Sequence, residues 1–173
     1  MRIELEKLED GKGRFAKAYQ PEELDLVDER ITLNAPVDVA GSVRRSGAEV
    51  VVNGRLSSRA SVECDRCLKA VELPISAEFS VDYITGEDYE SSQVAELTAD
   101  DLDVSVFDGE TIDVDELVKE QLLLSVPDRT LCREDCKGIC SSCGADLNAG
   151  ACNCKQIEID PRWEALKKLK NDG

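Results

Sequence analysis

The chain has 173 residues, a net charge of −16, eight cysteines and no histidine. A chain of this length builds a core without covalent staples, and its longest candidate apolar stretch, LLLSV at residues 122–126, falls far short of the roughly 20 residues that a membrane-spanning helix needs. The missing histidine removes His-based triads, HExxH metalloproteases and mixed Cys/His zinc sites together, and neither a GxGxxG nor a GxxxxGK[ST] motif offers a nucleotide cradle.

The start, MRIELEKLEDGKGRF, mixes charges from its second residue and lacks a signal-peptide core, which reads as a cytoplasmic protein. In that reducing compartment closely spaced thiols hold zinc more readily than they form lasting disulfides. Residues 37–83 read as antiparallel strands: VDVAGSVRR, AEVVVNGRL after the turn signal Ser46-Gly47, and SSRASVEC, with Asn53-Gly54 marking a bulge or tight turn. In the next strand Val71, Leu73, Ile75, Ala77, Phe79, Val81 and Tyr83 share one parity and therefore one face, while Pro74 marks an edge.

Charge is distributed unevenly. No lysine or arginine lies between Lys69 and Lys119, an interval that holds 15 acids; the rest of the chain has 22 acids and 21 bases. Residues 86–103 read as an acidic loop, with a short strand at 102–106. A solvated surface kept for solubility and a seat for a basic partner both fit such a segment.

TIDVDELVKEQLLLSVP then carries a helix signature. Asp113 is the N-cap with Glu116 three positions on, Val114, Leu117, Val118 and Leu122 form the apolar stripe, and Pro127 is the stop. At the end of the chain, IDPRWEALKKLK reads as a short amphipathic helix, with Asp160 as cap, Pro161 in the first turn, and Trp163, Leu166 and Leu169 on one face.

Between these helices CREDCKGICSSCGADLNAGACNC holds six of the eight cysteines. Cys140-Ser-Ser-Cys143-Gly144 has the spacing of a zinc knuckle, and Cys152-x-Cys154 returns after a turn at Asn148 and Gly150. The first-choice metal ligands are Cys140, Cys143, Cys152 and Cys154; Cys132 and Cys136 compete for places, and their spacing also fits one turn of helix. Cys64-Asp-Arg-Cys67 sits at a predicted hairpin tip. Together with the two spare thiols it would complete a second site and tie the sheet to the C-terminal module; a redox CxxC and a pair of packed thiols are its rivals. A cluster built only of cysteine favours a closed structural Zn2+ site over catalysis, so no enzyme activity and no small-molecule substrate are expected.

The order CDRCL, TIDVDELVKEQLLLSVP, LCREDCKGICSSCGADLNAGACNC, IDPRWEALKKL resembles the YceD family, named for large ribosomal RNA subunit accumulation, over residues 37–169. CKGICSSCGADLN and the helix-to-LLLSVP junction are its most specific parts; Ser141 stands where the family commonly has proline. The resemblance implies a non-enzymatic factor needed for accumulation of 23S ribosomal RNA and thus for the large subunit. Some members keep only a pair like Cys64 and Cys67, which implies that metal is not essential to the shared activity. The partners expected are ribosomal RNA, a basic large-subunit ribosomal protein, or both. Candidate contacts are Arg66, Arg162 and Lys167, with Arg44, Arg45, Arg55 and Arg59 on the sheet.

The expected architecture is α+β. A β-rich antiparallel N-terminal domain (residues 1–85) leads through an acidic loop (86–110) and a linking helix (111–127) to a zinc-ribbon-like cysteine module with a short C-terminal helix (128–173).

Overall fold

The computed structural model describes residues 1–28, 30–47, 49–87 and 104–154. The C-terminal helix read from IDPRWEALKKLK, with Arg162 and Lys167, and residues 88–103 of the acidic loop lie outside the described residues. Among the described residues no helix is long and apolar enough to cross a membrane.

The described residues form eight strands: β1 (Arg2–Glu4), β2 (Lys12–Tyr19), β3 (Ile31–Leu33), β4 (Val37–Ser46), β5 (Glu49–Glu63), β6 (Ala70–Thr85), β7 (Val104–Phe107) and β8 (Thr111–Asp113). The helix α1 (Val114–Leu124) follows directly. The main sheet runs β2-β4-β5-β6-β7, and β3 pairs with the far half of β5; β1 and β8 form a separate antiparallel pair. The sheet is antiparallel except at β7, which joins β6 in parallel, so it is mixed where an antiparallel one was expected. A parallel neighbour needs a crossover instead of a tight hairpin, and the long segment between β6 and β7 gives the chain that reach.

Asn53-Gly54 is neither a bulge nor a turn. It lies in the middle of β5, a strand of 15 residues. Phe15, Gly41, Gly54 and Phe79 are successive register partners across β2, β4, β5 and β6. A Cβ on Gly41 would lie 2.5 Å from the Phe15 ring, and one on Gly54 would lie 2.5 Å from the Phe79 ring. The glycines therefore make room for two aromatic rings laid across the sheet, which offsets their poor strand propensity.

The apolar parity of β6 faces inward as the alternation predicts, with Ile75, Phe79 and Tyr83 buried. Among the described residues Pro74 lies in an edge segment, since β7 covers only Asp82–Thr85 on that side. On α1 the stripe Val114, Leu117, Val118 and Leu122 is buried in one core with Val50, Val52, Leu56 and Tyr83. Asp113 caps α1, its carboxylate accepting from the backbone N–H groups of Asp115 and Glu116. This core lies on one face of the sheet. The side chains of opposite parity on β2, β4, β5 and β6 face outward, most of them exposed.

Candidate metal centre

The β5–β6 hairpin ends in the loop that carries Cys64 and Cys67. The Cys64 N–H donates to the Lys69 carbonyl at 2.8 Å, and the Leu68 N–H donates back to the Cys64 carbonyl at 2.8 Å. The Cys140 loop repeats this wiring: the Cys140 N–H donates to Ala145 and the Gly144 N–H to Cys140, both at 2.8 Å. In each loop the residue after the second cysteine adopts positive φ, Gly144 at 72° and Leu68 at 58°. The two loops are thus the same knuckle, disguised in the sequence because leucine occupies a backbone conformation that glycine adopts at little cost.

The eight thiols fall into two groups of four. Cys64, Cys67, Cys132 and Cys136 form one, and Cys140, Cys143, Cys152 and Cys154 the other; within each, the sulfurs lie within 4.8 Å of one another. All eight are free. In the first group Cys64 Sγ lies 3.9 Å from Cys136 Sγ, and Cys67 Sγ lies 3.6 Å from Cys132 Sγ. A tetrahedral zinc with Zn–S bonds of about 2.3 Å places its sulfurs about 3.8 Å apart, so these spacings are edges of a metal-sized tetrahedron, too long for S–S bonds. Four soft thiolate donors with no oxygen ligand suit zinc, and they leave no open position for a substrate. Cys132 and Cys136 do not span a helical turn; the segment is a series of bends in which the Cys136 N–H donates to the Arg133 carbonyl at 3.1 Å.

The first group is sealed. Cys64, Cys67 and Cys136 are buried and packed with Val71 and Leu131, and Cys132 alone is exposed. Thr130 locks the chain beside it: its N–H donates to the Asp65 carboxylate at 2.6 Å, and its carbonyl accepts from the Asp65 N–H at 2.9 Å. Arg66 is exposed, and its guanidinium donates to the carbonyls of Cys136 at 2.7 Å and Glu134 at 3.3 Å. The cation expected to meet a partner thus also closes the chain on itself. The second group is open, with Cys143 and Cys154 exposed and Cys140 and Cys152 half-buried.

One side chain joins the groups. Asn148 lies in the loop between Cys143 and Cys152, yet its amide donates to Cys136 Sγ of the first group at 3.5 Å. Its carbonyl oxygen accepts from the Lys137 N–H at 2.8 Å and from Arg133 at 2.7 Å. The amide also donates at 2.8 Å to Asp146, whose other oxygen pairs with Lys69 at 2.6 Å. The Lys69 ammonium beside Asp146 holds its carboxyl well down, at about 2. The sequence reading gave Asn148 only a turn; its place inside the CGADLN stretch was the available signal.

The thiols share their protons alike in both groups. The N–H of Cys132 brings Cys64 down to about 6, and the N–H groups of Ser142 and Cys143 do the same for Cys140. The hydrogen bond with the Cys67 thiol pushes Cys132 up to about 12, and that with the Cys143 thiol pushes Cys154 up to about 12. Each group therefore holds a thiol lowered to about 6, Cys64 in one and Cys140 in the other, and Cys136 of the first group is lowered as well; N–H···S bonds of the kind that orient metal ligands hold these thiolates.

Residues 52–170, which contain both groups, match the family model for the large ribosomal RNA subunit accumulation protein YceD. An uncharacterised protein of Mycobacterium tuberculosis is 30% identical over 151 residues, 87% of this chain and 70% of the relative. YlbN of Bacillus subtilis, also uncharacterised, is 28% identical over 167 residues, 96% of this chain and 92% of the relative. Large ribosomal RNA subunit accumulation protein YCED homolog 1, chloroplastic, of Arabidopsis thaliana is 26% identical over 195 aligned positions, 96% of this chain and 60% of the relative. No solved structure matches the chain significantly.

Proposed function

The chain belongs to the YceD family, and we propose that it is a non-enzymatic cytoplasmic factor that supports accumulation of large-subunit 23S ribosomal RNA by binding that RNA or a basic ribosomal protein. The observation that carries this reading is the family match across the β5–β6 hairpin, α1 and both cysteine groups. Zinc is its structural cofactor, held by Cys64, Cys67, Cys132 and Cys136 in one site and by Cys140, Cys143, Cys152 and Cys154 in the other. Bound metal supplies cross-links and no chemistry, since a four-thiolate shell closes the coordination sphere. The first site fastens the hairpin tip to the segment after α1, and the second folds the loop that carries Asn148.

Two routes to the ribosome are compatible with this. The acidic interval between Lys69 and Lys119, with 15 acids and no base, suits a basic ribosomal protein, while the cations of the sheet suit RNA. The test is the ratio of large- to small-subunit ribosomal RNA in cells with and without the protein. A fall in the large-subunit share, restored by the intact gene, is expected. An unchanged ratio would sink the reading and leave a zinc-stabilised interaction module with no ribosomal role.

A further inference from the structure

Among the described residues nothing covers the outward face of the main sheet, and its cations form no ion pairs there, although Arg55 stands opposite Glu78 in the register. Lys12 and Arg14 on β2, Arg44 on β4, and Arg55 and Arg59 on β5 are all exposed and share the outward parity. None has an ion-pair partner among the described residues. That is unexpected in a chain with 37 acids and 21 bases, where acidic neighbours are abundant. Moreover, Lys12 and Arg44 are direct register partners, and like charges placed opposite each other on a sheet destabilise it. A bound anion would relieve that repulsion.

The shape of the face narrows the anion. Arg44 is the register partner of Val51 on β5, so Arg44 and Arg59 lie eight residues apart along the strands, roughly 27 Å at about 3.4 Å per residue. This is a track too long for a small anion and suited to a polymer that presents phosphates in series. Between the cations the floor is Ala16, Ala18, Ala40, Ser42 and Ser57, residues small enough for a broad surface to approach. The acids of the face are Glu72, Glu78 and Asp82 on β6, with Glu78 directly opposite Arg55, Glu49 and Glu63 at the two ends of β5, and Asp38, which interrupts the track on β4. With a screening length of about 10 Å near 0.1 M salt, a ligand on the face responds most to charges within that distance.

Base recognition on an open sheet needs aromatic rings on which bases stack. The sheet's aromatic residues Phe15, Tyr19, Phe79 and Tyr83 all point into the core, and Phe107 on β7 packs against it with its ring edge-to-face with Tyr83. We therefore propose that the outer face of β2, β4 and β5 binds the sugar-phosphate backbone of double-stranded RNA without reading its sequence. The proposal rests on the ribosomal reading above and names the RNA-binding surface that it lacks.

The experiment measures binding of a labelled RNA duplex, and of single-stranded RNA of equal length, to the full chain across a salt series. The duplex is expected to bind more tightly than the single strand. The log-log salt slope should be about −3 to −4, from four to five phosphate contacts at about 0.7–0.9 each. Lys12→Gln/Arg14→Gln/Arg44→Gln should weaken duplex binding at least tenfold and flatten the slope by about 2 to 3, or roughly 1 per cation. Arg55→Gln/Arg59→Gln should flatten it by about 2 and serves if the triple variant fails to fold. Absent or salt-insensitive duplex binding, tighter binding to the single strand, or variants that bind like the parent would overturn the proposal. So would parent-like duplex binding by the variants coupled with loss of an acidic protein partner. Normal ribosomal RNA in cells lacking the protein would instead defeat the functional reading and leave this RNA-binding face standing.

Discussion

The two cysteine groups share a knuckle design and differ in what surrounds them. In the first, three of four thiols are buried, and the ligating segments are far apart in the chain, at residues 64–67 and 132–136. In the second, all four cysteines lie within residues 140–154, and none is buried. A metal ion in the first closes a long loop and completes a small hydrophobic cluster, whereas one in the second orders a short surface loop. Equal chemistry should therefore have unequal consequences, because the cross-link that closes the longer loop removes more freedom from the unfolded chain.

The sharpest test removes one ligand from each. Cys136→Ser should abolish one metal ion per chain and lower Tm by on the order of 10 °C, as loss of a structural metal does. Cys143→Ser should also remove one ion, with Tm changed by only about 2 °C. Elemental analysis and calorimetry read both quantities, and equal losses of Tm would erase the distinction between the groups.

Asn148 tests whether the groups are independent. Asn148→Ala withdraws the amide from Cys136 Sγ, and such outer-shell losses cost about 10- to 100-fold in metal affinity. Competition with a chelator should show that loss at the first group, transmitted from a residue in the loop of the second. If only the second group weakens, Asn148 is a local turn residue and the coupling fails.

Acidity should act on both groups together. The folded values of Cys64 and Cys140 are lowered to about 6, so their thiolates exist above that pH and are lost as pH falls through it. Metal uptake by the metal-free protein should slow below about pH 6, where each group must release a further proton before it can bind. Stopped-flow uptake that stays flat from pH 7 to about pH 5 would contradict shared thiolates.

The smallest effect concerns the knuckle turns. Gly144→Leu should cost about 1 kcal/mol, because its left-handed backbone disfavours a side chain. Leu68→Gly should change stability by less than about 1 kcal/mol, since relief of backbone strain is offset by the freedom that glycine adds to the unfolded chain. Thermal melts separate the two, and a large loss in Leu68→Gly would assign that side chain a packing role.

Local patterns announced some elements plainly. The cap and stripe of α1 and the single parity of β6 follow from spacing alone, and the structure has them where that spacing puts them. β2 was missed because Lys17 occupies the inward parity between Phe15 and Tyr19; its ammonium lies 3.9 Å from the Tyr19 ring centroid and 3.5 Å from Glu23. Asn53-Gly54 misled because its turn chemistry is overridden by the Phe79 ring from a neighbouring strand. The parallel pairing of β7 was hidden by the acidic segment before it, which carries no periodicity.

For the cysteines, spacing was enough to identify the two knuckles and to rank Cys140, Cys143, Cys152 and Cys154 as one set. It could not say whether Cys132 and Cys136 would enter that set, because four-residue spacing is equally good for several arrangements. Only the folded chain brings Cys64 and Cys67, more than 60 residues earlier, to within 4.8 Å of Cys132 and Cys136. That meeting depends on the length of the β5–β6 hairpin, the helix packed on the core face and the Asp65–Thr130 lock. Local chemistry fixed which residues were able to ligate, and long-range packing decided which of them met.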